Sequence, residues 1–276
     1  MLMQERSIKT FCVRPFAHVK ITCEGMVSMC CHQGSNFLGS LFEKSFDDIW
    51  FGDLAEEIRE KTRNNELHSM CNTIYCPFKY KDNLAAEAKP HSIKTRYPSQ
   101  LEFDLHYSHC NFGGVNPTPD NCCFMCPRSA PNFGNYLKYV PDRTDELLEK
   151  VTPLVPHLEL LNILGIAEPF WKDKMFQMLE QFDFQKYKNQ IELWTVSNAS
   201  LFDEKKQKRL LELTERTSIC FSLDAATPET FSKIRRQQPN VFKTCCENIR
   251  SWCKRKNPNH IAKLHNNINQ IGRAHV

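Results

Sequence analysis

CNFGGVNPTPDNCCFMCPR, running from Cys110 to Arg128, is the stretch on which the reading of this 276-residue chain turns. It follows Leu101–Tyr107, where apolar and polar residues alternate as in a half-buried strand. Gly113, Gly114, Pro117 and Pro119 make the middle of the stretch a loop. Four thiols stand in it, Cys110, Cys122, Cys123 and Cys126, at what should be the strand's C-terminal end. A loop that returns a distant Cys to a Cys-x-x-Cys pair builds a metal pocket, because soft thiolates at short spacing select iron–sulfur clusters or zinc. A zinc site would use all four thiols. The simplest set is three, Cys110, Cys123 and Cys126, and three thiolates on a four-iron cluster leave one iron open.

Cys110-Asn111 followed by Cys123-Phe-Met-Cys126-Pro-Arg128 resembles the cluster loop of radical S-adenosylmethionine (SAM) enzymes. In that family three cysteines hold a [4Fe–4S] cluster, and the fourth iron chelates the amino and carboxylate groups of SAM. One electron then cleaves SAM to a 5′-deoxyadenosyl radical. The family pattern is Cys-x3-Cys-x2-Cys, whereas here twelve residues separate Cys110 from Cys123. Cys122 is the rival to Cys123 as second ligand; the x2 spacing to Cys126 favours Cys123.

Composition sets the background. An apolar fraction of 41% is enough for a sizeable core and excludes a disordered chain. A net charge of +4 makes no case for nucleic acid, and the basic run Lys205–Arg209 reads as a solvated helix face. No apolar run reaches membrane-spanning length, and the N-terminus lacks a signal-peptide core. With fourteen cysteines and no secretion signal, the clustered spacings point to metal sites in a reducing cytoplasm rather than to disulfides.

A second cysteine group lies upstream. Cys12 leads into an alternating strand, Phe16–Thr22; Glu24-Gly25 makes a turn, and Met26–Cys31 returns as the second strand of a hairpin. Ser45-x-x-Asp48 opens one helix, and Asp53–Glu56 is a capping-box-like start to another over Leu54–Lys61. Cys71 and Cys76 close the segment. These features are similar to the SPASM and twitch auxiliary-cluster domains that accompany radical SAM enzymes. The resemblance implies one auxiliary iron–sulfur cluster on Cys12, Cys30, Cys71 and Cys76, with Cys31 the rival to Cys30. Too few cysteines remain for the two auxiliary clusters of a full SPASM domain, which favours the one-cluster twitch form. Zinc suits four thiolates equally well. Cys23 reads as a small buried thiol.

Residues 81–99 read as a polar linker between this domain, residues 1–80, and a core over 100–270. In the core, strand and helix patterns alternate, as in a parallel α/β sheet or barrel. Strands are expected at Leu158–Leu164, Ile191–Val196 and Ile219–Leu223. Helices are expected around Trp171–Phe182 and Lys205–Thr214, after the Thr227-Pro228 start, and over Phe242–Cys253. Cys245, Cys246 and Cys253 follow helical spacing and read as core thiols. The expected class is therefore α/β, and the resemblance to radical SAM enzymes implies a partial (β/α)6 TIM-like barrel, preceded by a small α+β cysteine-rich domain.

The chemistry of such a sheet gathers at the C-terminal ends of its strands. There the resemblance to radical SAM enzymes continues. Gly165-Ile-Ala-Glu168-Pro169 resembles the Gly-Gly-Glu-Pro motif, which makes Glu168 an acceptor for the SAM ammonium. Ser197-Asn198-Ala199 resembles the Thr-Asn-Gly turn, which puts Asn198 near the ribose. Ser222-Leu-Asp224-Ala resembles Ser-Leu-Asp-Gly, with Ser222 and Asp224 facing the site. Arg235 falls where the family has an arginine that pairs with the SAM carboxylate.

The resemblance implies a peptide or protein substrate and an electron donor such as flavodoxin or ferredoxin. A zinc-binding scaffold without catalysis is the alternative. Ile261–Leu264 could begin a further strand, after which the barrel reads as truncated. Residues 271–276, IGRAHV, are what the opening of a common sequencing adapter would encode, and read as a non-native tail.

Overall fold

The structure is a computed structural model that describes residues 12–31, 36–71, 76 and 96–264. The linker expected from 81 and the tail at 271–276 lie, for the most part or entirely, outside the described residues. The chain divides into two compact units. One comprises residues 1–103 with 145–160, the other 104–144 with 161–276.

The first unit begins with a single turn of helix, Arg14–Ala17, opened by Pro15 near its start. This turn replaces the first residues of the strand expected at Phe16, so strand β1 is His18–Ile21. Strand β2, Met26–Ser28, returns antiparallel to it as the expected hairpin, with Lys20 opposite Ser28. Gly25 makes the turn at φ +75°, and a side chain there would strike the ring of Phe42 at 2.7 Å. Strand β3, Gly39–Ser40, pairs antiparallel with β2. Helix α1, Phe46–Trp50, is capped by Ser45, whose Oγ accepts the Asp48 N–H at 3.1 Å. Helix α2, Asp53–Arg63, starts one residue earlier than a cap at Asp53 requires: Gly52 takes the cap position without a side-chain bond.

Strand β4, Gln100–Asp104, runs parallel to β1, with His18 opposite Gln100 and Ile21 opposite Phe103. The strand order in this unit is β3-β2-β1-β4. Val19, Ile21, Val27, Leu101 and Phe103 are fully buried on it. Helix α3, Thr144–Val151, which the periodicity did not single out, buries Leu147, Leu148 and Val151.

The second unit carries the strand order β5-β6-β7-β8: Leu160–Leu164, Glu192–Ser197, Thr217–Phe221 and His260–Leu264. β6, β7 and β8 are mutually parallel, with Leu193 opposite Thr217 and Thr217 opposite His260. Helices α4 (Lys174–Gln181), α5 (Glu204–Leu213), α6 (Pro228–Arg235) and α7 (Pro239–Arg255) lie between and after these strands. The α/β class is as expected. The order is linear, however, and among the described residues β8 pairs only with β7, so no closed barrel is formed.

The core of this unit is aromatic. Phe170 stacks on Phe202 with ring centroids 4.3 Å apart, and Trp252 lies against Phe202 at 5.1 Å. Two sequence expectations change here. Trp171 sits in a 3-10 turn ahead of α4, half-buried, while Met175, Phe176, Leu179 and Phe182 are buried as expected. On α7 only Cys245 is a core thiol; Cys246 is half-buried and Cys253 is exposed, because Cys253 follows the buried Trp252 onto the solvent face.

Candidate metal and cofactor site

The loop from Cys110 to Arg128 is built around a buried cation. Arg128 is wholly buried, and its guanidinium donates to the carbonyls of Phe112, at 2.7 Å, and Gly114. Those bonds fold the twelve residues between Cys110 and Cys123 back on themselves, so that Cys110 returns to the Cys-x-x-Cys turn. Gly113, at φ +92°, makes the close approach possible: a Cβ there would lie 2.4 Å from the Cys122 sulfur. The Cys126 N–H bonds the Cys123 carbonyl at 3.0 Å, and the Phe124 N–H bonds the carbonyl of Ile234 at 2.8 Å.

A cavity of about 260 Å³ opens beside this loop. Cys110, Cys123 and Cys126 line it, and Cys122 does not. The Cys122 thiol instead faces the loop, 3.5 Å from the Asn121 Oδ1. Burial pushes the Cys110 thiol up to about 12, and burial likewise raises Cys126. Such thiols stay protonated until a metal takes the proton's place.

The strand ends of the second unit supply the facing wall: Gly165 and Glu168 after β5, Ser197 and Asn198 at the end of β6, Ser222 and Asp224 after β7, and Arg235 at the end of α6. Every cavity residue implied by the resemblance is thus on one surface. Glu168 is 1% exposed. One of its oxygens accepts the Ser197 hydroxyl at 2.8 Å, and the other accepts the Asn198 N–H at 2.7 Å. Burial outweighs those bonds and pushes its carboxyl up to about 7. The Asn198 amide donates to Asn111 at 2.9 Å, and Asn111 donates to Ser200 at 2.9 Å, tying this strand end to the 110–128 loop. Arg235 donates to the Cys123 sulfur at 3.4 Å and to Asp224 and the Ser222 carbonyl.

These residues fit a thiolate-held cluster with a charged amino-acid ligand. Three thiols line one cavity, and the buried Arg235 Nε among them has no protein partner.

The other predicted ligands belong to the first unit. Cys12, Cys30, Cys71 and Cys76 are all half-buried. Burial pushes Cys12 up to about 12, and the nearby Cys76 and Cys71 add to the rise. Cys31 is lowered to about 5, first by a hydrogen bond from Cys30 and then by the Arg14 guanidinium. Both rivals for that ligand position therefore sit together, beside Arg14. Residues 72–75, between Cys71 and Cys76, lie outside the described residues.

Three site residues were not read from the sequence. His109 bonds Asp142 at 2.7 Å, and His106 bonds the Val140 carbonyl at 2.9 Å; the ligand atoms of the three lie within 4.8 Å of one another. The His-x-x-His spacing just before Cys110 was the available signal. Asp142 offered none, being 33 residues away.

Comparison with known proteins bears on the first unit. Residues 12–77 match the family model SPASM, an iron-sulfur cluster-binding domain. The segment is similar to that domain from the first predicted auxiliary ligand, Cys12, to just past the last, Cys76. The match supports iron–sulfur binding by this segment. No curated protein matches the chain.

Proposed function

We propose that the protein is a radical SAM enzyme with an N-terminal auxiliary iron–sulfur cluster. One observation carries the reading: Cys110, Cys123 and Cys126 share a single cavity with Glu168, Asn198, Ser222, Asp224 and Arg235. On this reading the second unit is part of a (β/α)6 barrel. Cys110, Cys123 and Cys126 would hold a [4Fe–4S] cluster, which supplies the electron that cleaves SAM to start hydrogen abstraction from a substrate. The remaining work belongs to the chain. Glu168 receives the SAM ammonium, whose positive charge favours the ionised carboxylate. Asn198, fixed by Asn111, shapes the wall beside the ribose. Cys12, Cys71 and Cys76 would hold the auxiliary cluster, with Cys30 or Cys31 as fourth ligand. A peptide or protein substrate and a flavodoxin- or ferredoxin-type donor complete the proposal.

The test is anaerobic reconstitution with iron and sulfide, followed by dithionite and SAM. The reading expects 5′-deoxyadenosine to form, and to be lost in Cys123→Ala. A colourless protein carrying stoichiometric zinc after the same treatment contradicts it.

A further inference from the structure

Arg235 is held from several sides. It closes α6, and Arg236 behind it adopts the left-handed conformation at φ 53°, which ends the helix there. A helix C-terminus favours a cation. The side chain is buried, with the residue 8% exposed. One terminal nitrogen donates to the Cys123 sulfur at 3.4 Å; the other donates to the Asp224 carboxylate and to the Ser222 carbonyl. Asp224 is itself 2% exposed and held at φ 55°. The bond from the Phe124 N–H to the Ile234 carbonyl, 2.8 Å, ties the Cys-x-x-Cys turn to the end of α6. Backbone and side chain thus fix the guanidinium against one particular thiol.

The resemblance assigns Arg235 to the SAM carboxylate, yet both terminal nitrogens are already engaged, and Nε is the one without a protein partner. We propose that Arg235 is a positioning residue for the cluster itself, a cationic hydrogen-bond donor to the Cys123 thiolate that makes the cluster easier to reduce. This rests on the proposed function above. Reduction adds negative charge to the cluster, and a positive donor on a ligating sulfur stabilises the more negative state. Asp224 holds the guanidinium and partly offsets its charge.

The test is a potentiometric titration of the reconstituted full chain, read by electron paramagnetic resonance in the absence of SAM. The relevant signal is the one that the Cys110→Ala/Cys123→Ala/Cys126→Ala triple variant lacks. Arg235→Gln is expected to shift its midpoint to more negative values, by about tenfold in the reduction equilibrium, which for one electron is about 59 mV. Arg235→Lys recovers part of the shift. Asp224→Asn, which keeps the guanidinium and removes its counter-charge, shifts the midpoint the other way. Midpoints in Arg235→Gln and Asp224→Asn equal to wild type overturn the inference while leaving the proposed function standing, and a lowered SAM affinity alone would assign Arg235 to SAM. Absence of any such signal in wild type overturns the proposed function, and this inference with it.

Discussion

At Glu168 burial and hydrogen bonding pull in opposite directions, and burial wins: the carboxyl rises to about 7 from 4.5 despite bonds from Ser197 and Asn198. A raised acid binds its proton more tightly in the folded state. Its contribution to stability is therefore full below about pH 4.5 and is lost as pH rises through about 7. The size is on the order of 3 kcal/mol. Urea unfolding of the full chain from pH 5 to 8 should show stability falling with pH, and a flatter profile in Glu168→Gln. Equal slopes in both would place the titration elsewhere. Ala199 offers a second test. It is buried at φ 65°, a conformation that costs a residue with a Cβ about 1 kcal/mol. Ala199→Gly should raise the melting temperature by a few degrees, on the order of 0.5–1 kcal/mol. A lower melting temperature would mean that the lost methyl contact outweighs the relief.

At the scale of elements, local chemistry was legible and long-range pairing was not. Ser45 and Thr227 were readable as caps, because a cap needs only its own side chain and an N–H three residues on. Asp53 misled, because a glycine before it can take the cap position with no side chain at all. The parallel pairing of β1 with β4 joins residues about eighty positions apart, and no local pattern announces it. The same limit applies at the site. Cys110, Cys123 and Cys126 were legible from spacing, whereas the contact of Arg235 with Cys123 spans 112 residues and needed the fold. The Thr227 hydroxyl accepts the Thr230 N–H at 3.3 Å at the start of α6. Thr227→Ala should cost about 1 kcal/mol in urea unfolding. A loss much below about 0.3 kcal/mol would show that the fold holds α6 without its cap.

Over the whole molecule, each unit brings its own set of thiols. Residues 12–77 match an iron-sulfur cluster-binding domain, and the second unit gathers a separate trio in its cavity. If each set holds a four-iron cluster, the reconstituted chain carries about eight irons. Removing Cys110, Cys123 and Cys126 together should leave about four, with the remainder on the N-terminal thiols. Iron falling to near zero would make the two sites one folding unit. Among the described residues no helix is long and apolar enough to cross a membrane.

On the proposed function, three thiolates of the 110–128 loop leave one iron open to SAM. The most direct measurement is electron paramagnetic resonance of the dithionite-reduced, reconstituted chain, with and without SAM. SAM is expected to change the signal in wild type, and no SAM-responsive signal should remain when Cys110, Cys123 and Cys126 are replaced by Ala. A reduced cluster whose spectrum is identical with and without saturating SAM would contradict it.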